Sequence, residues 1–339
     1  MERVRDRITK NKLLPFGKVG MEIMKILAND GISQTGFDVL EKAGFEVLLT
    51  KVAQNQLENY INEHSVDALL VRSETQVREE LIDECPTLKL IGCGGVGMDN
   101  VDVNYAIDKG LHVINTPEAS SNSVAELVFA HLFGMVRFLH SSNREMPLEG
   151  DSRFKELKKA YANGTELRGK TIGIIGFGRV GQEVAKIAIG IGMEVIATDI
   201  QIESEAITLN FFNGQKISFN IEMSSKDDVL KEADFITLHV SEQENYIIDA
   251  AEIEKMKDGV GIINTSRGGV LNEVDLINAI ESGKVQYAAL DVFENEPNPE
   301  IQLLMNTELS LTPHIGASTV EAQDRIGVEL ANQIIKLLN

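Results

Sequence analysis

The chain of 339 residues is long enough for two domains, each with its own hydrophobic core. Its net charge of -20 repels the phosphates of nucleic acids, which excludes nucleic acid as a partner. No apolar run approaches the ~20 residues that a membrane helix needs, so no membrane partner is expected. The cysteines, Cys85 and Cys93, lack the paired spacing of zinc ligands and do not suggest a disulfide framework. We therefore expect a cytoplasmic protein with reduced thiols and no metal site.

Residues 1–23 form a basic segment without the apolar core of a secretory signal. Met24 begins the stretch "MKILAND", which predicts the first strand of a folded domain. Residues 1–23 are therefore interpreted as an N-terminal extension upstream of the fold.

Two blocks of the chain alternate short aliphatic runs with helical patterns, which predicts mainly parallel sheets in an α/β fold. The first block has predicted strands at 25–29, 46–50, 68–72, 88–94 and 112–116. The second block has predicted strands at 170–176, 194–200, 235–240, 260–266, 287–292 and 309–313. An Asn-Gly pair at 213–214 predicts a hairpin inserted into the second block.

Two helices are expected to join the blocks. The stretch "SSNSVAELVFAHLFGMVRFLHSSNR" (120–144) predicts one long helix, with Ser123 and Glu126 as a capping box at its start. The final helix is expected to start at Ser318, with Glu321 completing a second capping box. Apolar residues recur every four positions along this helix and predict a buried stripe of Ala322, Ile326, Leu330, Ile334 and Leu338.

The segment "TIGIIGFGRVG" spaces Gly176, Gly178 and Gly181 as G-x-G-x-x-G between a predicted strand and a predicted helix. The first glycine permits a tight turn, the second lets the backbone approach a pyrophosphate, and the third lets helix and strand pack closely. The start of the helix offers free N–H groups to the phosphates. Asp199 ends the next strand, where a carboxylate binds ribose hydroxyls and repels a 2′-phosphate. These residues predict NAD, rather than NADP, as the cofactor.

Ionisable residues follow three of the later strands: Arg267 in "INTSRGG", Glu296 in "DVFENEP" and His314 in "LTPHIG". Any one of them alone on a loop would more often be a packing or solvated residue. The carboxyl ends of parallel strands meet at the edge of the sheet where ligands bind, so these side chains are expected to converge. Their convergence beside a nicotinamide site predicts that Arg267, Glu296 and His314 are catalytic.

A series of motifs extends from Met24 to the end of the chain: "VRSETQV", "GGVGMDNVD", "INTP", "GIIGFGRVGQEVA", "DFITLHV", "INTSRGGV", "ALDVFENEP" and "TPHIGASTVEAQDRIG". On these motifs the chain resembles the D-isomer-specific 2-hydroxyacid dehydrogenases, and among them the short-form phosphoglycerate dehydrogenases. The resemblance implies two doubly wound parallel-sheet domains. A flavodoxin-like substrate domain (24–120 and 317–339) would carry an inserted Rossmann NAD-binding domain (121–316).

The family's catalytic Arg, Glu and His fall on Arg267, Glu296 and His314. Arg267 can fork onto the carboxylate and the C2 oxygen of a 2-hydroxy acid. His314 would exchange the hydroxyl proton, with Glu296 orienting the imidazole and raising its pKa. Further cofactor contacts implied by the resemblance are Arg179, Val180, Thr265, Asp291, Gly316 and Ala317. Substrate contacts are expected from Arg72, Ser73 and the glycine-rich loop of Gly94, Gly95, Val96 and Gly97.

The resemblance implies oxidation of D-3-phosphoglycerate to 3-phosphohydroxypyruvate, the first step of serine biosynthesis. Glu74, close after Arg72, is unfavourable for a phosphate, while Arg137 is a further candidate phosphate ligand. The alternatives are a hydroxypyruvate or glyoxylate reductase and a D-lactate dehydrogenase of the same family. An alternative of another class is an NAD-sensing binding protein that acts in transcription.

Relatives in this family imply a homodimer or homotetramer, with residues 145–168 as a candidate contact. Because the chain ends soon after His314, an appended serine-sensing domain is not expected. His239 precedes a loop on the cofactor side and is equally compatible with a core position. The other histidines belong to no motif and are interpreted as structural: His64, His112, His131 and His140.

Overall fold

The structure, a computed structural model, describes residues 23–338. The predicted extension at 1–23 lies outside the described residues apart from Ile23. The first half of the chain forms a five-stranded parallel sheet in the order β2-β1-β3-β4-β5, the flavodoxin-like order that the resemblance implies. Its strands are β1 (Lys25–Ala28), β2 (Glu46–Leu48), β3 (Ala68–Val71), β4 (Leu90–Cys93) and β5 (His112–Ile114).

The second half forms a six-stranded parallel sheet and a separate antiparallel hairpin. In chain order its strands are β6 (Thr171–Ile175), β7 (Glu194–Thr198), β8 (Ser204–Asn210), β9 (Lys216–Glu222), β10 (Phe235–Leu238), β11 (Val260–Asn264), β12 (Val285–Leu290) and β13 (Leu309–Leu311). The sheet order is β13-β12-β11-β10-β6-β7. A Rossmann sheet normally has one more strand beyond β7. Here the hairpin β8–β9 and a single parallel bridge between Ala197 and Met223 take its place.

Helices cover the sheets, and their bounds follow in chain order: α1 (Gln34–Lys42), α2 (Leu57–His64), α3 (Glu79–Glu84), α4 (Val103–Asp108), α5 (Ser121–Val136), α6 (Leu139–Glu149), α7 (Phe154–Ala160), α8 (Arg179–Ile191), α9 (Lys226–Glu232), α10 (Ala250–Lys255), α11 (Glu273–Glu281), α12 (Ile301–Leu304) and α13 (Val320–Leu338). Hydrophobic cores lie on the two faces of each sheet, and aliphatic side chains of the buried strands fill them. Parallel sheets are covered on both faces in this way because each crossover helix must bury its apolar stripe.

The last helix returns to the first sheet. Ala322, Ile326, Leu330 and Ile334 of α13 are buried, as the four-residue pattern predicts, and Leu338 packs at the margin of the same core. Helix α13 also crosses α1 so closely that a Cβ on Gly36 would lie 2.6 Å from the backbone of Gly327. This path is the one expected when one domain is inserted into another. The boundaries at 120/121 and 316/317 remain predictions.

The prediction of one long helix over 120–144 is wrong. Helix α5 ends at Val136, Phe138 adopts a left-handed φ of 52°, and α6 begins at Leu139. The two helices are bent by 56° at this break. The Phe138 ring packs beside the Tyr161 ring, with 5.8 Å between centroids.

Both predicted capping boxes are also wrong. Ser123 lies inside α5, and its hydroxyl donates to the distant carbonyl of Gly316 at 2.6 Å. Helix α13 begins at Val320, and Thr319, not Ser318, caps it by accepting the N–H of Ala322 at 3.2 Å. The hydroxyl of Ser123 therefore makes a long-range hydrogen bond in place of a capping box, and the cap of α13 lies one residue later than predicted.

Within residues 23–338 no single helix has both the length and the apolar character for crossing a membrane. Helices α5 and α6 meet that criterion only as a pair, across the 56° bend. Much of α5 is buried in the core of the second sheet.

Candidate active site

The glycine motif forms the turn between β6 and α8. Gly176 has a φ of 93°, and a Cβ there would lie 2.4 Å from the carbonyl oxygen of His239. A Cβ on Gly181 would lie 2.3 Å from the carbonyl oxygen of Gly176, so helix and strand approach closely. Apart from its chain neighbours, no atom of residues 23–338 would lie within 4 Å of a Cβ on Gly178, which leaves the start of α8 open to a phosphate group. Each glycine thus has the surroundings that a dinucleotide requires.

Asp199 follows β7 and connects that strand to the glycine turn. Its Oδ2 accepts the N–H of Phe177 at 2.7 Å, and its Oδ1 accepts the N–H groups of Gln201 and Ile202 at 2.8 and 3.2 Å. About one of the ~four acceptor positions of the carboxylate therefore stays open for a ribose hydroxyl. Thr265, which follows β11, is 8% exposed, and its hydroxyl has no partner among residues 23–338. A buried hydroxyl of this kind fits a contact to a bound cofactor.

The remaining predicted cofactor residues differ in their surroundings. The Arg179 guanidinium forms an exposed ion pair with Glu118 at 3.0 Å, so it points toward the segment before α5. Val180 is half-buried against the core of the second sheet. Ala317 accepts a hydrogen bond from Gln323 at its carbonyl oxygen, at 2.8 Å.

Asp291, buried after β12, organises the turn that carries His314. Its Oδ1 accepts the N–H of Ile315 at 2.8 Å and the hydroxyl of Thr312 at 2.6 Å. Its Oδ2 accepts the N–H of Gly316 at 2.8 Å. Asp291 is 1% exposed, so it acts first as an anchor of this turn.

His314 and Glu296 form a hydrogen-bonded pair. The Nδ1 of His314 lies 2.8 Å from Oε2 of Glu296, and Glu296 Oε1 accepts the N–H of Phe293 at 3.0 Å. His314 has a φ of 52°, a left-handed conformation that is uncommon outside glycine and concentrates at functional sites. Because Nδ1 faces the carboxylate, Nε2 is the ring nitrogen left for a substrate.

The pair shifts the proton affinity of both members. The hydrogen bond to Glu296 raises the pKa of His314, although burial acts in the opposite direction. Burial would raise the pKa of Glu296, but the hydrogen bond and positive charge of His314 outweigh it and lower that pKa. The charge of Arg267 lowers the pKa of each of them, so Arg267 belongs to the same electrostatic site. The arrangement stabilises an imidazolium beside a carboxylate.

Arg267 extends from the second sheet to the glycine-rich loop of the first. Its Nε donates to Oδ2 of Asp99 at 2.9 Å, and its Nη1 donates to the carbonyl of Ser266 at 2.7 Å. A Cβ on Gly97 would lie 1.7 Å from Nη2, so only a glycine admits the guanidinium at this point. The site therefore contains residues that follow strands of both sheets.

The loop after β4 offers only part of its backbone to a ligand. The Gly94 N–H donates to Val71 and the Gly95 N–H donates to Cys93, at 2.8 and 3.0 Å. Within the described part of the chain, the N–H groups of Val96 and Gly97 donate to no protein acceptor. These two amides, beside the Arg267 guanidinium, are the ones that could bind a carboxylate.

Arg72 follows β3 at the same edge of the first sheet, and Ser73 beside it is exposed. Burial lowers the pKa of Arg72, although the charge of Asp30 opposes that effect. The guanidinium hydrogen-bonds the side chain of Gln323, and the backbone N–H of Arg72 donates to Asp30 at 2.7 Å. Glu74, whose negative charge is unfavourable for phosphate binding, forms an ion pair with Lys51. Lys51, which no sequence motif marks, therefore pairs with a residue two positions after Arg72.

Sequence reasoning missed other residues of the site as well. Asp99 binds Arg267 across 168 positions of the chain, and only its place in the motif "GGVGMDNVD" could have suggested it. Gln323 contacts both Arg72 and Ala317. His131, interpreted as structural without further role, hydrogen-bonds the segment before His314. His239 is partly buried, its Nε2 lies 2.9 Å from the Thr237 hydroxyl, and burial lowers its pKa to about 3.

A family model described as D-isomer specific 2-hydroxyacid dehydrogenase, NAD binding domain, matches residues 129–316. The chain is 41% identical over 320 residues to a hydroxypyruvate reductase from Thermotoga maritima, covering 93% of this chain and 98% of that protein. The chain belongs to the D-isomer specific 2-hydroxyacid dehydrogenases. It is also 38% identical to a D-3-phosphoglycerate dehydrogenase from Methanocaldococcus jannaschii, covering 93% of this chain but only 58% of that longer protein.

Structural similarity agrees with the family. A glyoxylate reductase from Paecilomyes thermophila superimposes with a TM-score of 0.77 at 28% identity, covering 94% of this chain and 97% of that one. The α/β fold with two doubly wound parallel sheets is therefore confirmed, and the cofactor of the family's inserted domain is NAD.

Replacing Asp199 with alanine is expected to relax the preference for NAD over NADP by at least ~10-fold, because the repulsion of a 2′-phosphate is lost. Asp199→Asn is the matched variant, since its amide oxygen can still accept the N–H of Phe177 without the charge. The ratio of kcat/KM for the two cofactors measures the effect. An unchanged ratio in both variants would remove Asp199 as the ribose ligand.

Proposed function

We propose that the protein catalyses NAD-dependent oxidation of D-3-phosphoglycerate to 3-phosphohydroxypyruvate, and the reverse reduction. The observation that carries the proposed chemistry is the His314–Glu296 pair, 2.8 Å apart, in the same site as Arg267. Oxidation of a 2-hydroxy acid requires a base, a carboxylate that stabilises the protonated form of that base, and a guanidinium that binds the substrate.

His314 is proposed to act through Nε2. During oxidation this nitrogen takes the proton of the substrate hydroxyl, while Nδ1–H stays bound to Glu296. During reduction the imidazolium returns that proton to the oxygen at C2. The hydrogen bond and charge of Glu296 stabilise the imidazolium, and the N–H of Phe293 holds the carboxylate in place.

Arg267 is proposed to bind the substrate carboxylate and to polarise the oxygen at C2. Asp99 holds Nε and the Ser266 carbonyl holds Nη1, so the guanidinium plane is fixed before substrate arrives. The free N–H groups of Val96 and Gly97 would bind the same carboxylate from the other side. NAD, when bound, supplies the hydride acceptor at C4 of its nicotinamide. The glycine turn, Asp199, Thr265, Asp291, Gly316 and Ala317 would hold it, with Arg179 and Val180 at the start of α8.

The phosphate of the substrate is proposed to bind at Arg72 and Lys51, with Ser73 beside them. The ion pair between Lys51 and Glu74 supports this assignment, because it neutralises the carboxylate that would otherwise repel a phosphate. Several relatives named D-3-phosphoglycerate dehydrogenase, 35–38% identical over 93% of this chain, also support it.

A second candidate is reduction of hydroxypyruvate or glyoxylate. Asp30 and Glu74 balance Arg72 and Lys51 in charge, and the Arg72 guanidinium is already hydrogen-bonded to Gln323. A neutral hydroxymethyl group would fit such a balanced subsite without displacing an ion pair. The relative at 41% identity, a hydroxypyruvate reductase, supports this candidate.

Reduction assays with NADH should compare phosphohydroxypyruvate, hydroxypyruvate, glyoxylate and pyruvate at equal concentration. The proposal predicts the highest kcat/KM for phosphohydroxypyruvate, and Lys51→Ala should lower it by ~10-fold without affecting hydroxypyruvate. A preference for hydroxypyruvate that Lys51→Ala does not change would select the second candidate, and a preference for pyruvate would indicate a D-lactate dehydrogenase. Absence of turnover on all of them would favour an NAD-sensing binding protein.

We further propose that the protein is a homodimer or a tetramer built from dimers. Helices α5 to α7 present apolar side chains to solvent, with Leu148 78% exposed and Leu139 62% exposed. Such a patch is typical of a surface that another subunit covers. The patch overlaps the predicted contact segment 145–168, and sedimentation equilibrium of the purified chain measures the state.

A further inference from the structure

His131 connects helix α5 to the segment that carries His314. The imidazole is 4% exposed, its Nδ1 lies 2.8 Å from the Ser310 hydroxyl and its Nε2 lies 3.0 Å from the Thr312 hydroxyl. Both partners stand on β13 or directly after it, shortly before His314. A buried histidine with both ring nitrogens engaged is fixed in orientation.

The direction of these hydrogen bonds follows from Asp291. The Thr312 hydroxyl donates its single proton to Asp291 Oδ1 at 2.6 Å, because a carboxylate oxygen only accepts hydrogen bonds. Thr312 must therefore accept from His131, which places the ring proton on Nε2. Burial lowers the pKa of His131, with the Asp291 charge opposing it, so the ring is neutral and Nδ1 accepts from Ser310. The donors run from Ser310 through His131 and Thr312 to Asp291.

The hydrogen-bond chain from Ser310 to Asp291 ends at the turn that orients the imidazole of His314. Asp291 accepts the N–H groups of Ile315 and Gly316, which follow His314 directly, each at 2.8 Å. His314 itself has a φ of 52°, a strained conformation for a residue with a side chain, which persists only where the surroundings enforce it. Ser123, also on α5, holds the carbonyl of Gly316 at 2.6 Å. Helix α5 therefore hydrogen-bonds the turn on both sides of His314, through His131 to Thr312 and through Ser123 to Gly316.

We propose that His131 is a positioning residue for the reaction: through Thr312 and Asp291 it holds the left-handed turn in which His314 meets Glu296 and the substrate. The inference rests on the proposed acid/base role of His314. Helix α5 also connects the two sheets. The hydrogen bonds of His131 and Ser123 therefore fix both the position of α5 and the orientation of His314.

The test replaces His131 with leucine, which removes both hydrogen bonds, and with glutamine, which offers one donor and one acceptor. His131→Leu is expected to lower kcat ~10-fold with little change in KM for NADH, since a misaligned catalytic group mainly affects the chemical step. The apparent pKa of His314 in the pH profile of reduction should fall in this variant, because the bond to Glu296 loosens. His131→Gln should restore most of kcat and the original profile.

Controls separate positioning from stability. Met135→Ala removes a buried side chain of the same helix without touching the hydrogen bonds, and should leave the pH profile unchanged. Thr312→Val interrupts the chain next to Asp291 and provides a second variant if His131→Leu fails to fold. The double variant should be no slower than Thr312→Val alone, because both changes break one chain.

Additive losses in the double variant would overturn the proposal, as would an unchanged kcat and pH profile in a folded His131→Leu. An unchanged kcat and pH profile in Thr312→Val would also overturn the proposal. Full turnover in His314→Gln would instead refute the proposed role of His314 itself, so the two failures are distinguishable.

Discussion

Replacing His314 with glutamine is expected to lower kcat by at least ~100-fold in both directions, the usual effect of losing a general acid/base. Glutamine can keep a hydrogen bond to Glu296, but it cannot exchange the hydroxyl proton at the pH of the reaction. The binding of NADH should change little, because the glycine turn and Asp199 are untouched. Following NADH absorbance under saturating substrate measures kcat directly.

The matched control is His112→Gln, which changes an exposed histidine on β5 outside the site. That variant should retain full turnover. If His314→Gln turned over at a rate close to that of the unmodified enzyme, His314 would not be the acid/base.

The partner of His314 can be tested by the pH dependence. The hydrogen bond to Glu296 raises the pKa of His314, so the proton-donating imidazolium persists to higher pH and reduction declines only as pH rises through that raised pKa. Glu296→Gln removes the negative charge and should lower the pKa of His314. The decline in the rate of reduction and the rise in the rate of oxidation should then both begin at lower pH. Identical profiles would show that the carboxylate does not tune the imidazole.

The second large effect is expected at Arg267. Arg267→Lys should lower kcat/KM for the keto acid by ~10–100-fold, because a lysine cannot form two parallel hydrogen bonds to a carboxylate. The lysine would also lose the geometry in which Asp99 holds Nε at 2.9 Å. Steady-state kinetics with varied keto acid at saturating NADH measure the loss.

Arg78→Lys serves as the control for that substitution. Arg78 is an exposed arginine that pairs with Asp102 at 2.9 Å, and neither residue is among the predicted cofactor, substrate or catalytic contacts. Its replacement should leave kcat/KM unchanged within experimental error, as expected of a surface ion pair. Equal kinetics in Arg267→Lys and the unmodified enzyme would contradict carboxylate binding by the guanidinium.

The parts of this molecule that sequence could predict are those encoded by neighbouring residues. Aliphatic runs predicted the strands of both sheets, and the Asn-Gly pair predicted the hairpin β8–β9. The glycine spacing predicted the turn before α8 because each glycine answers a local steric demand. Arg267, Glu296 and His314 could be grouped because each follows a strand and parallel strands end at one edge.

The parts that sequence could not predict depend on contacts between distant positions. No proline or glycine marks the break between α5 and α6, where Phe138 has a left-handed conformation and its ring packs beside that of Tyr161. Ser123 has the sequence context of a helix cap, but the Gly316 carbonyl, 193 positions away, takes its hydroxyl. Likewise Asp99 gains its partner Arg267 only when the two sheets assemble, and His131 gains its partners only when α5 packs against the end of β13. The motifs therefore predicted which side chains would meet at the candidate site, but not the residues that hold those side chains in place.

We expect this chain to reduce a small 2-keto acid with NADH to a product of D configuration. The most direct measurement is to incubate purified protein with NADH and hydroxypyruvate or phosphohydroxypyruvate, and to assign the configuration of the product by chiral chromatography. We predict stoichiometric NADH oxidation and a single D-configured hydroxy acid, and we expect both to be lost in His314→Gln. A product of L configuration, or no NADH oxidation with any 2-keto acid, would contradict it.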